Sequence, residues 1–127
     1  MEISGGVIRD NEGPDAYSGG VNMNGGVLKV SGNPVIVNNG QNGTCNAHAN
    51  YANEFVLAGN LTEGANIGVY SESLYLKNNI FGSLSTAGYT GTAYIHNDRD
   101  SSLAAVASGT DLVWKSAVRN GIVILYK

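Results

Sequence analysis

Glu2-Ile3-Ser4-Gly5-Gly6-Val7-Ile8-Arg9-Asp10-Asn11 returns as Lys29-Val30-Ser31-Gly32-Asn33-Pro34-Val35-Ile36-Val37-Asn38-Asn39, with one residue inserted. Between the copies, Gly19-Gly20-Val21 and Gly25-Gly26-Val27 echo Gly5-Gly6-Val7. Very short β-branched runs with Gly and Asn between them suggest a solenoid. Each coil would supply short strands, and its corners need residues that reach positive φ cheaply. The alternation in Val27-Leu28-Lys29-Val30 turns Leu28 and Val30 inward and Lys29 to water. Pro34 precedes Val35 at a strand start, where a missing N–H costs least.

Composition agrees. Gly makes up 18 of 127 residues, far above the usual roughly 7%. Asn-Gly recurs at Asn24-Gly25, Asn39-Gly40, Asn42-Gly43 and Asn120-Gly121, which is turn chemistry. A hydrophobic content of 43% with a net charge of −3 predicts a folded chain, not a disordered one. Seven Lys and Arg, scattered singly, give no nucleic-acid footprint, and no apolar run reaches the length of a membrane span. A single cysteine, Cys45, cannot form an intrachain disulfide or a cysteine-based metal site. With Met1 leading straight into the repeat and no signal peptide, the expectation is a piece of a longer chain that starts mid-array.

Residues 1–80 are expected to form coils, with a projecting loop at about 40–52 that is polar, small and aperiodic. Cys45 and His48 lie in that loop, two potential ligands and too few for a metal site. Further strands are expected at Glu54–Leu57 and Ile67–Tyr70, with a turn at Ala58-Gly59-Asn60 and a weak echo of the repeat at Leu74-Tyr75-Leu76. Residues 81–127 gather Tyr89, Tyr94, Trp114 and Tyr126 and read as a β-rich cap of the same domain. Within it, Leu103–Ala107 and Asp111–Lys115 suggest a hairpin, though the alanines leave one helical turn open for the first. The fold class is therefore all-β: a short right-handed parallel β-helix with a C-terminal cap. Its core should hold Ile8, Val21, Leu28, Val30, Ile36, Phe55, Leu57, Leu61, Ile67 and Val69.

The phrase from Gly19 to Asn39 resembles the rungs of Gly/Asn-rich β-helix arrays on bacterial surface proteins. These are autotransporter-like and adhesin-like, especially those of gut Firmicutes. Asn53-Glu54-Phe55-Val56-Leu57 and Leu61-Thr62-Glu63-Gly64-Ala65-Asn66-Ile67-Gly68-Val69 resemble the segment that closes such arrays. The similarity covers roughly residues 2–70, over far fewer rungs than those arrays carry. It implies an extracellular stalk or adhesive region and brings no catalytic residues. The partners it implies are host or cell-wall glycans or proteins and neighbouring rungs of a parent chain.

For chemistry, the acidic spots are Asp10/Glu12/Asp15 and Asp98/Asp100, the latter beside His96. An acid–base group or a Ca²⁺ loop at His96–Asp100 competes with a solvated turn, and the calcium-loop spacing is missing. On the turn reading, changing Asp98 and Asp100 to Asn should cost less than about 0.5 kcal/mol. Tyrosines such as Tyr70 and Tyr75 could stack on sugars, or on neighbouring coils. The ligand-contact candidates are Tyr70, Tyr75, His96, Asp98 and Asp100, with no catalytic, cofactor or metal residue. A non-enzymatic surface module is expected, the alternative being a carbohydrate-active β-helix fragment that binds or cleaves polysaccharide. The uncapped first coil is expected to self-associate.

Overall fold

The computed structural model describes residues 1–12, 19–23, 25–72, 78–119 and 122–123. The chain is all-β, about half strand, and wound as a β-solenoid of about three turns. Coil one holds β1 (Glu2–Ile3), β2 (Val7–Arg9) and β3 (Val21–Asn22). Coil two holds β4 (Leu28–Gly32), β5 (Val35–Val37) and β6 (Ala47–Ala49). Coil three holds β7 (Phe55–Leu61) and a longer β8 (Asn66–Ser71) that serves two faces, pairing first with β5 and then with β6. The repeat sets the register: Glu2 lies beside Lys29 and Val7 beside Val35, offsets of 27 and 28 that differ by the inserted residue.

The strands are short because the corners interrupt them. Asp10 and Asn38 both take positive φ, at 59° and 54°, and stack in equivalent places. Asp10 N–H donates to the Asn38 carbonyl at 3.1 Å, and Asn38 Nδ2 donates to Asp10 Oδ1 at 2.6 Å. Inside, the alternating aliphatics pile into columns. Leu28, Val30, Ile36, Phe55, Leu57, Leu61, Ile67 and Val69 are all buried. Ile8 and Val21, at the open end, are only partly so. Complete burial of one such side chain contributes about 1.5–3 kcal/mol.

Two expectations are corrected. Gly40–Ala52 is not a projecting loop: after a 3₁₀ turn at Gln41–Gly43 it supplies β6, with Cys45, Ala47, His48 and Ala49 buried. Alanines carry no amphipathic signal, yet their small side chains fit a tightly packed third face. Ala58-Gly59-Asn60 does not turn either. β7 runs through it, and a register shift opposite Val30–Gly32 absorbs the extra residues.

The C-terminal part covers the last coil. β9 (Ile80–Leu84) extends the first face beside β7, and β10 (Ile95–Asn97) lies parallel to β8. The hairpin of β11 (Leu103–Ser108) and β12 (Asp111–Ser116) then pairs antiparallel with both, β11 on β10 and β12 on β9. Leu103–Ala107 is thus a strand, not a helical turn. Under the hairpin, Trp114 stacks on Phe81 with ring centroids 3.8 Å apart, and Phe81 stacks on Phe55 at 6.2 Å. Tyr89 and Tyr94 pack against the same core. β13 (Val118–Arg119) and β14 (Ile122–Val123) pair antiparallel. Asn120-Gly121, Leu74-Tyr75-Leu76 and Tyr126 lie outside the described residues.

Candidate functional site

The third face carries a group of chemically capable side chains. Strand register places Asn22, His48 and Tyr70 in one column, each on a successive coil. The His48 and Tyr70 rings meet edge to face at 5.0 Å, and the Arg99 guanidinium lies over the Tyr70 ring at 5.1 Å. His48 Nε2 is 2.7 Å from Glu72 Oε1, with the imidazole almost enclosed and the carboxylate more open. Arg99 Nη1 also donates to the Ser71 carbonyl at 3.1 Å, while Ser71 Oγ accepts from Trp114 Nε1 at 3.0 Å.

A histidine–carboxylate pair beside a tyrosine and an arginine has the elements of proton transfer or anion recognition. Here the groups mainly hold one another. One side of the Tyr70 ring is occupied by Arg99, and the His48 ring meets it edge to face. Of the four sequence candidates among the described residues, only Tyr70 belongs to this column.

The other candidates are dispersed. His96 is exposed on β10, opposite Gly68 and Ala104. Asp100 is exposed and accepts hydrogen bonds from the Ser102 N–H and hydroxyl, as a turn residue does. Tyr75 lies outside the described residues. Asp98 is not the solvated turn residue expected. It is partly buried and accepts two hydrogen bonds from Asn46, backbone N–H to Oδ2 and side-chain amide to Oδ1, each 2.9 Å. Asn46 in turn accepts from the Asn39 amide and N–H, and Asn39 Oδ1 accepts from Asn11. An internal polar ladder Asn11–Asn39–Asn46–Asp98 therefore climbs one corner, and Asn39 at its centre is 0% exposed.

A second buried carboxylate went unnoticed in the sequence. Glu54 is 2% exposed, and its oxygens accept from the N–H groups of Asn50, Tyr51 and Gly25. Asp10, Glu12, Asn38 and Asn42 line a polar hollow of about 300 Å³ at the corner between coils one and two. There the Asn38 hydrogen bond, helped by Arg9, holds the Asp10 carboxyl below the usual carboxylate range. Among the described residues, no three His, Cys, Asp or Glu side chains converge as metal ligands, and no helix is long and apolar enough to cross a membrane.

The column was partly legible. Asn22 and His48 are 26 residues apart, close to the repeat offset, but the spacing means something only once the coil is known to continue through residues 40–52. No family model, curated protein or solved structure matches the chain.

Proposed function

We propose that this chain is a non-enzymatic repeat domain of a bacterial surface protein, working outside the cell as a structural stalk or adhesive module. The observation that carries this reading is how the chemically capable side chains are used. Asp98 caps an asparagine ladder, Glu54 gathers backbone N–H groups, and Arg99 joins Tyr70 to the Ser71 backbone. Where the repeat stacks its corners, an acid lies over an amide, Asp10 over Asn38. Paired carboxylates of the kind glycoside hydrolysis uses would instead set acid beside acid, about 5–10 Å apart. Polar groups bonded from coil to coil stiffen a rod.

The test is incubation of the chain with a panel of plant and bacterial polysaccharides, reading new reducing ends. No release is expected. Release that disappears in His48→Ala or Glu72→Gln, with the strand signal intact, would move the protein to the carbohydrate-active class.

A further inference from the structure

We infer that Asn42 is a site of spontaneous covalent modification: in the folded chain the Asn42-Gly43 pair converts to aspartate and isoaspartate, while Asn39-Gly40, on the same corner, is protected. The inference goes beyond the stalk-or-adhesive reading and does not depend on it. The Gly43 nitrogen gives up its proton and attacks Asn42 Cγ, and the new C–N bond closes a cyclic imide. The Cγ–Nδ2 bond breaks, and the amide nitrogen takes up a proton and leaves as ammonia. Water then opens the imide at either ring carbonyl, leaving an aspartate or an isoaspartate. A glycine in second place favours the attack, because it has no side chain to crowd the nitrogen.

Two of the Asn-Gly pairs lie wholly among the described residues, and the fold treats them differently. Asn39 is 0% exposed, and its Nδ2 donates to the carbonyls of Ile8 and Val37 at 2.9 Å and to Asn46 Oδ1 at 3.0 Å. The Gly40 N–H, which would have to attack it, donates to the Asn11 carbonyl at 2.6 Å. Reaction there would break the centre of the asparagine ladder.

Asn42 is exposed, inside the 3₁₀ turn Gln41–Gly43, with φ 61° and ψ 17°. That ψ turns the Gly43 nitrogen away from the Asn42 side chain, so the ring closes only after rotation about the Asn42 Cα–C bond. Little opposes the rotation. The Gly43 N–H reaches the Gly40 carbonyl at 3.2 Å and the Thr44 N–H reaches the Gln41 carbonyl at 3.4 Å, both long bonds. Gln41 and Thr44 are exposed as well, and exposed turns outside a strand ladder open at small cost. Asn42 also leaves a left-handed conformation that an L residue holds at a cost.

The product lands where it has an effect. Asn42 lines the polar hollow with Asp10 and Glu12, so the new carboxylate meets two others, and the net charge of −3 becomes −4. An isoaspartate also lengthens the backbone at the corner that leads from β5 to β6. Modification would thus acidify and loosen one corner of coil two.

Incubation of the whole chain in mildly alkaline buffer, folded and in parallel unfolded in urea, tests this. It runs for as long as the unfolded chain needs to convert, and fragmentation mass spectrometry assigns each amide-to-acid mass gain to Asn39 or Asn42. In urea the two should convert at similar rates. In the folded chain Asn42 should lead Asn39 by on the order of tenfold or more, the difference between opening an exposed turn and opening a buried ladder. An Asn42 that stays an amide while folded, or an Asn39 that keeps pace with it, would overturn the inference.

Discussion

Asn46 and Asp98, separated by 52 residues of chain, are joined by two hydrogen bonds of 2.9 Å that span the corner between coil two and the cap. Both donors belong to Asn46 and both acceptors to one carboxylate, so removing the carboxylate leaves the buried Asn46 N–H without its acceptor and the side-chain amide with only its 3.2 Å bond to the Gly43 carbonyl. Asp98→Ala should therefore destabilise the fold by about 1–3 kcal/mol, well above a surface effect. Urea unfolding followed by circular dichroism measures it, and a change within about 0.5 kcal/mol would return Asp98 to the class of solvated turn residues.

The same carboxylate gives the stability a pH dependence. Burial, the largest influence, holds the Asp98 carboxyl above the ordinary value of 3.8, while the bonds from Asn46 and the charge of His96 pull the other way. A group that holds its proton more tightly folded than unfolded stabilises the fold fully below its unfolded value, and loses that contribution as pH rises through the folded value. The stability of the native chain relative to Asp98→Asn should thus decline as pH rises from 3.8 toward neutrality. A difference that stays level across that window would mean the carboxyl titrates normally.

Gly68 lies where β8 passes the ladder. A Cβ there would fall under 3.0 Å from both Asp98 Oδ1 and Asn46 Nδ2, leaving no room for the bond between them. Gly68→Ala should cost about 1–3 kcal/mol by overpacking. In the Asp98→Ala background the same change should cost less, because one of the two clashing groups is gone. A double-mutant cycle reads this as a coupling of about 0.5–3 kcal/mol between residues in contact; simple additivity would place the clash elsewhere.

Trp114 is the single tryptophan and is fully buried against Phe81, so its fluorescence reports on the cap. Phe81→Ala removes the middle ring of the Phe55–Phe81–Trp114 stack and should cost about 3–5 kcal/mol. Because that stack joins cap to coils, fluorescence and circular dichroism should shift to the same lower midpoint. Two separated transitions would show that cap and coils unfold independently.

By itself the sequence determined the coil. The duplicated phrase carries its own register, because identical inward positions stack only when Ile3 meets Val30 and Ile8 meets Ile36. Its Asp and Asn corners reach positive φ through local backbone preference, which needs no partner. The hairpin of β11 and β12 was legible for the same reason, since alternation and a Ser108-Gly109-Thr110 turn are local. Tertiary structure alone decided the rest. β6 is a strand because β3 and β8 flank Ala47–Ala49, not because those residues prefer to be one. Asp98 and Glu54 look like any surface acids in sequence; their burial comes from donors on Asn46 and Gly25, brought in from distant turns of the chain. The His48–Tyr70–Arg99 column likewise exists only once three successive layers are stacked in register. Short-range preference can set a rung, but which polar groups meet across rungs depends on contacts between residues far apart in the chain.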